Sequence, residues 1–189
     1  MELQFDKSQR FVKFLYRPTI TTMEAILNQQ EMCALFIPLL QSRGSEYKKF
    51  RPIRAKAALD GERIETRTSD GLETINTAEA GDMIVQNTTR AGEAYVMSAD
   101  KFAERYVPAP EESTDNEGFA LYHPVGRILA LCIDEALLQE LQLPQAFHFT
   151  ASWGSSMAAK AGDYLACPPD GSSVYRIARE EFFETYQLV

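Results

Sequence analysis

The sequence predicts an α+β protein in which two small, antiparallel, β-rich modules follow an N-terminal helix. From residue 50 onward, short segments such as "IRAKA" alternate apolar and polar residues, which is typical of strands with one buried face. Turn-forming pairs such as Asp60-Gly61 separate these segments. Two long segments also share one motif, and a repeated motif indicates a repeated structural unit. We therefore expect two similar small sheets.

An amphipathic helix is predicted from Thr21 to about Gln41. Thr21 and Glu24 match a capping box, in which each side chain accepts a backbone N–H. Pro38 is expected to kink the last turns or to end the helix early, and Gly44 follows as a stop. Its apolar residues recur at helical spacing and cover more than one face. The helix is therefore expected either between the two modules or against a partner chain, so that the protein is a monomer or a homodimer.

The first module is predicted at residues 49–106, after an N-terminal helical segment at 1–48. "RIETRT" and "LETINT" flank the turn "SDG" and predict a hairpin. "MIV" and "AYVM" predict a second strand pair, and Ser98 is expected to cap the short helix "ADKFAERY". Residues 107–118, "VPAPEESTDNEG", are rich in proline and acidic residues and are expected to form a solvated linker.

The second module is predicted at residues 119–189 and follows the same order. "GRILALCI" predicts a strand, and "DEALLQELQL" predicts a short amphipathic helix with Asp134 as its N-cap. "AFHFTAS" predicts a strand that ends at Trp153-Gly154. "YLAC" and "VYRIA" predict a strand pair, and "EEFFETY" predicts a closing helical turn.

The repeat is carried by "AGDMIVQNTTRAGEAYVMSADKFAERY" and "AGDYLACPPDGSSVYRIAREEFFETY", which align with one residue of length difference. Both contain A-G-D and, further on, Y-x6-F-x-E-x-Y. The glycine permits a tight turn, and the aspartate is expected to fix that turn by accepting backbone amides two residues on. Phe102 and Phe182 are expected to be buried equivalents, each holding a terminal helical turn against its hairpin.

These features resemble the PGDYG family and short phage-type domains that carry a P-G-D-[YW] strand followed by spaced aromatic residues. The resemblance covers residues 50–106 and 119–186. Ala80 and Ala161 stand at the proline position, and Ile84 and Leu165 stand where the last glycine would be. The resemblance implies a small β-rich protein of bacteria or phages, and it carries over no catalytic residue.

The composition excludes several classes of partner and compartment. Because 27 acidic residues outnumber 19 basic ones, the net charge of -8 repels nucleic acid and anionic lipid, and we expect neither as a partner. The longest apolar run, "MCALFIPLL", is far shorter than the about 20 residues of a membrane span. The N-terminus lacks the apolar core of a signal peptide. Three distant cysteines favour free thiols, so a cytoplasmic location is expected.

Candidate catalytic groups are few. The two histidines, His123 and His148, are the only side chains whose ordinary pKa suits a general base near neutral pH. His148 is expected to face away from the flanking phenylalanines of its predicted strand. No metal-ligand spacing and no phosphate-binding glycine loop occurs, so no metal and no cofactor is expected.

A ligand site is predicted in the second module, where it differs from the first. Trp153 takes the place of Asp70, and Tyr164 takes the place of Met83. A site between duplicated modules is a natural place for a ligand. We assign its lining to Trp153, Asp163, Tyr164 and Arg176.

The functional expectation is a non-catalytic module that binds a small molecule or a protein, in a phage-like or defence-related context. It depends on the absence of a recognisable catalytic set. The alternative is an enzyme that acts on a small polar or nucleotide-like substrate with carboxylates as acid and base. Its candidate residues are Asp82, Asp163 and Glu184.

Overall fold

The computed structural model describes residues 26–110 and 114–189. Within them the helices are α1 (Gln29–Arg43), α2 (Ala99–Arg105), α3 (Glu135–Glu140) and α4 (Arg179–Thr185). The strands before residue 111 are β1 (Ser45–Lys49), β2 (Ile53–Ala57), β3 (Arg63–Thr68), β4 (Gly71–Thr77), β5 (Met83–Asn87), β6 (Ala94–Met97) and β7 (Tyr106–Pro108). The strands after residue 113 are β8 (Ala120–Pro124), β9 (Arg127–Cys132), β10 (Ala146–Thr150), β11 (Ser156–Lys160), β12 (Tyr164–Cys167), β13 (Tyr175–Ile177) and β14 (Tyr186–Leu188). The predicted α+β class is confirmed.

Most strands belong to two antiparallel five-stranded sheets. The first sheet has the order β6-β5-β2-β8-β7, and the second has the order β13-β12-β9-β1-β14. Two hairpins, β3–β4 and β10–β11, stand apart from these sheets. The hairpin predicted around "SDG" is confirmed as β3–β4, whereas strands β1, β7, β11 and β14 were not predicted. Among the described residues, no helix combines the length and apolar character that a membrane crossing requires.

The two sheets exchange one strand each. Strand β1 precedes β2 by three residues, yet it lies in the second sheet between β9 and β14. Strand β8 precedes β9 by two residues, yet it lies in the first sheet between β2 and β7. Part of the expected helical segment 1–48 therefore belongs to the second sheet, and residues 107–118 contribute to β7. The expected boundaries do not separate the two sheets.

The registers of the two sheets correspond residue by residue. Ala55 of β2 lies opposite Val85, and Ala130 of β9 lies opposite Ala166. The exchanged strands follow the same rule, because Ile53 is paired with Tyr122 and Ile128 is paired with Tyr47. Residues with the same place in the two registers are called equivalent below.

Each sheet carries one aromatic cluster, on the side that packs against α2 in the first sheet and against α4 in the second sheet. Phe102 of α2 is 7% exposed and Phe182 of α4 is 1% exposed, so their predicted burial is confirmed. The Phe102 ring meets Tyr122 edge-on at 4.8 Å, and the Phe182 ring meets Tyr47 edge-on at 4.9 Å. Because each of these tyrosines belongs to an exchanged strand, the phenylalanine of each sheet also stabilises the strand that comes from elsewhere in the chain.

The side of the first sheet away from α2 and the side of the second sheet away from α4 differ in polarity. Leu129 and Leu131 point from the second sheet into a large apolar cluster. Their equivalents in the first sheet are Arg54 and Lys56, which lie over the ring of Phe119 at 5.1 Å each. Only the second sheet therefore offers an apolar surface on this side.

Helix α1 begins later than predicted. Asn28 is its N-cap, and Asn28 and Glu31 form a capping box. The predicted box at residues 21–24 lies outside the described residues. Pro38 lies inside the helix, which continues to Arg43, so the expectation of an early end is wrong.

The position of α1 also differs from the prediction. Its buried residues Met32, Phe36 and Leu40 pack between the second sheet and the β10–β11 hairpin. The Phe36 ring stacks on Phe147 of β10 at 6.0 Å. The helix therefore covers one sheet, and the expectation of a helix between the two modules is wrong.

Both A-G-D sequences form the predicted tight turn before a strand. Gly81 and Gly162 have φ values of +94° and +96°, which glycine adopts without strain. The carboxylates of Asp82 and Asp163 each accept a backbone N–H from the residue three positions earlier, at 3.0 and 3.1 Å. The expected bond to an amide two residues further on was wrong, although the aspartate does fix the turn.

Candidate functional site

The four residues predicted to bind a ligand lie in three different places. Asp163 and Arg176 contact each other in a buried ion pair. Tyr164 lies on the other side of the second sheet, where its ring stacks on Phe182 at 3.6 Å. Trp153 lies in the turn of the β10–β11 hairpin and is 50% exposed. The structure brings together only two of the four residues.

Arg176 is the centre of an ion-pair cluster that joins the two halves of the chain. Its Nε donates to Asp163 Oδ2 at 2.8 Å, and its Nη2 donates to Asp163 Oδ1 at 3.2 Å. Its Nη1 donates to Glu73 Oε1 at 2.6 Å, and its Nη2 also donates to Asp70. Lys160 Nζ lies 2.5 Å from the other oxygen of Asp70. Four of the five guanidinium N–H groups are thus used by the protein itself.

The pKa shifts in this cluster have opposite signs. Burial raises the pKa of Glu73 above its ordinary value, although Arg176 opposes that shift. Burial also acts on Asp70, but hydrogen bonds from Lys160 and Arg176 outweigh it and lower the pKa. Burial alone would lower the pKa of Arg176, yet Asp163 and Glu73 raise it, so the guanidinium stays charged.

The first sheet has no such cluster. Val96 is equivalent to Arg176, because Ile84 pairs with Val96 as Leu165 pairs with Arg176. The difference between valine and arginine in the aligned repeats was the available signal for the cluster. Its partners Asp70 and Glu73 carried no signal, since they come from the other half of the sequence.

A second buried polar network was missed by sequence reasoning. Lys49 and Glu93 are 9% and 6% exposed, and Asn87 lies between them. Lys49 Nζ donates to Asn87 Oδ1 at 2.5 Å, and Asn87 Nδ2 donates to Glu93 Oε1 at 2.7 Å. Lys49 Nζ also lies 3.3 Å from the hydroxyl of Tyr106, which is 3.0 Å from that of Tyr95. The amide of Asn87 thus links a buried cation to a buried anion. This network lies where the chain passes from β1 in the second sheet to β2 in the first sheet.

The carboxylates proposed as acid and base are each held by the protein. Asp82 accepts the N–H of Glu79, and Glu184 accepts the N–H of Arg90 at 2.7 Å. Asp163 accepts three hydrogen bonds, two of them from a guanidinium. In residues 26–110 and 114–189, no three metal-binding side chains lie close enough together to hold an ion.

The cavities near these groups are small. One, of about 220 Å³, lies between the β3–β4 hairpin, the β5–β6 loop and α4, and another, of about 150 Å³, lies beside α3. Sites for small molecules usually enclose about 300–1,000 Å³. The first cavity is lined by Arg67, Thr68, Ser69, Arg90, Ala91, Glu180, Glu181 and Glu184. Glu181 is already bound there by Ser69.

Comparison of the chain with family models, curated proteins and solved structures found no match. The resemblance to the PGDYG family therefore stays a prediction that depends on the short A-G-D motif and its aromatic residues.

Proposed function

We propose that the protein is a non-catalytic protein-binding module built from two copies of one β-rich unit. The observation that carries the proposal is that the polar groups suited to catalysis or ligand recognition are bound by the chain itself. Arg176 is held by Asp163, Glu73 and Asp70, and Glu184 is held by the loop that contains Arg90. Such groups act as structural links and not as free acids, bases or ligand contacts.

The duplication is supported by the matching registers of the two sheets. It is also supported by the equivalent packing of Phe102 and Phe182 and by the equal turns at Gly81 and Gly162. Each unit gives its first strand to the sheet of the other, so the two copies are interlocked within one chain.

A protein is a better partner than a small molecule for a chain of this shape. The cavities described above are smaller than those that enclose most small ligands, whereas a protein partner needs only an exposed surface with apolar and polar groups. Exposed large apolar residues are available on both halves, among them Leu72, Trp153 and Phe183.

A thermal-shift screen against nucleotides and metabolites, followed by a turnover assay on every hit, tests the proposal. We expect no compound to raise the melting temperature and none to be converted. A compound that is converted by the wild type and not by a stably folded Asp163→Asn variant would establish the enzyme alternative. A hit without turnover would instead assign the module to a small ligand.

A further inference from the structure

A partly exposed aromatic surface lies on the α4 side of the second sheet. We name it the Tyr164 surface and define it by Tyr47, Tyr164, Phe183 and Leu188. The Tyr164 ring meets Tyr47 edge-on at 6.5 Å and Phe183 edge-on at 5.7 Å. Leu188 is the strand partner of Tyr47, so both side chains point to the same side. Phe183 and Leu188 are 57% and 62% exposed, which is costly for a surface without a partner.

One cation borders this surface. The guanidinium carbon of Arg179 lies 5.5 Å from the centroid of the Phe183 ring. Arg179 is exposed and forms no ion pair with any acidic side chain of the described residues. In a chain with a net charge of -8, an arginine without an acidic partner beside an exposed aromatic ring is available to a carboxylate from outside.

The first sheet lacks this surface. The residues equivalent to Tyr164, Phe183, Leu188 and Arg179 are Met83, Ala103, Pro108 and Ala99. Since the first sheet has the same strand order without the aromatic residues and the arginine, the fold does not require them. Tyr164 contributes to the core through Phe182, but the exposed Phe183, Leu188 and Arg179 need a reason other than folding.

We propose that the Tyr164 surface binds an acidic segment of a partner protein. An apolar side chain of that segment packs on Tyr164, Phe183 and Leu188, and a neighbouring carboxylate pairs with Arg179. Aromatic residues and arginine are the residue types that contribute most to protein–protein binding energy. The inference rests on the proposed function, because it names the surface through which a protein-binding module would act.

Charge decides against two other occupants of this surface. In a two-fold contact between two copies of the chain, the Arg179 side chains would border the same interface and repel each other. Nucleic acid would need several cations along its path, whereas this surface carries one and the whole chain is acidic. An acidic protein segment with an apolar residue offers a carboxylate to Arg179 and an apolar side chain to the rings.

Random-peptide display against the immobilised full chain, followed by fluorescence anisotropy with the selected peptides, tests the inference. We expect selection of peptides in which Asp or Glu lies close to Leu, Phe or Trp. Phe183→Ala and Arg179→Ala should each weaken binding about tenfold or more, the effect of losing one hot-spot side chain. Leu72→Ala is the matched control, since Leu72 is 49% exposed on the β3–β4 hairpin, and it should leave binding unchanged.

Because Phe183 also touches Phe182 edge-on at 5.8 Å, its removal could loosen α4, and a melting curve of the variant checks this. Leu188→Ala, in the edge strand β14, provides an independent weakening at a position outside α4. Peptides without acidic enrichment, or peptides that bind all three variants as tightly as the wild type, would overturn the assignment while leaving a protein-binding function intact. A failure to select any peptide, or a dimer that Phe183→Ala dissociates, would also overturn it. Turnover in the metabolite screen would instead remove the proposed function.

Discussion

The two five-stranded sheets have the same strand order and matching registers. Among the described residues, however, a long helix packs only on the second sheet, on the side away from α4. The second sheet presents Leu129 and Leu131 there, and α1 buries them together with Phe36. The first sheet presents Arg54 and Lys56 at the equivalent positions, and these stay half-exposed over a single phenylalanine ring. Leucines at these positions thus favour packing against a helix, whereas the cationic side chains at the equivalent positions favour partial exposure to water.

The two hairpins show the same contrast. Phe149 pairs with Met157 in the β10–β11 hairpin, and both rest in the apolar cluster around α1. The corresponding pair in the β3–β4 hairpin is Thr66 and Thr74. The Thr66 hydroxyl donates to the carbonyl of Ala94 at 2.8 Å, so this hairpin packs directly on β6 without a helix between them. The second sheet and the β10–β11 hairpin are thus both apolar at these positions, whereas the first sheet and the β3–β4 hairpin are both polar there.

Phe182→Ala is expected to have the largest effect of any single substitution considered. The ring is almost fully buried and stacks on Tyr164, while Phe102 is slightly more exposed and faces Met83 at that position. We expect a loss of about 3–5 kcal/mol for Phe182→Ala and a value near the lower end of that range for Phe102→Ala. Chemical denaturation of both variants measures the difference. Equal losses would mean that Tyr164 adds nothing to the core.

Arg176→Val would give the second sheet the residue that the first sheet has. The change leaves the buried carboxylate of Asp163 without its cation, so we expect a loss of about 3 kcal/mol, the lower end for a broken buried pair because Asp70 is partly exposed. A double-mutant cycle with Asp163→Ala measures the coupling. Additive losses would show that the two side chains do not interact.

Asp163→Ala should cost more than Asp82→Ala, although both aspartates fix the same turn. Asp82 accepts one backbone N–H, so its removal should cost about 1 kcal/mol. Asp163 is 1% exposed and also binds Arg176, so its removal should cost about 2–3 kcal/mol. Melting curves compare the two variants. A larger loss at Asp82 would contradict the role assigned to Arg176.

Glu73 should make stability depend on pH with the sign opposite to that of Asp70. Its folded pKa is raised, so the folded state binds more protons and gains stability as the pH falls toward 4.5, the ordinary value of its pKa. Asp70 has a lowered pKa, and its contribution is lost only below its ordinary value of 3.8. Between about pH 7 and about pH 5, the stability of the wild type should therefore rise relative to Glu73→Gln. A wild type that loses stability relative to Glu73→Gln on acidification would refute the raised pKa.

Local patterns in the sequence predicted many of the elements. The alternation in "IRAKA", the turn at "SDG" and the cap at Asp134 each correspond to an observed strand, hairpin or helix start, and Asp134 accepts the N–H of Leu137 at 2.7 Å. His148 faces outward between two buried phenylalanines, as the period of a strand requires. These features depend on residues close together in the chain, which is why the sequence shows them.

Partner choice could not be predicted in the same way. Nothing in "SEYKK" or "ALYHP" indicates that each strand pairs with the distant half of the chain, because a strand forms similar hydrogen bonds with either neighbour. The ion-pair partners of Arg176 could not be predicted for the same reason. Arg176 was assigned to the predicted ligand site, but Asp70 and Glu73 reach it only through the packing of the two halves.

The exchange of strands between the two sheets is the central structural claim, and a cross-link across the cut chain tests it most directly. Glu46 and Leu129 lie opposite each other in β1 and β9, at a Cα separation that antiparallel partners share with disulfides. A protease site placed between residues 110 and 114 would separate them onto different fragments. After oxidation and cutting of a Glu46→Cys/Leu129→Cys variant, we predict one band of full size on a non-reducing denaturing gel, and two bands for each single variant. Two separate fragments from the double variant would show that β1 does not lie in the second sheet.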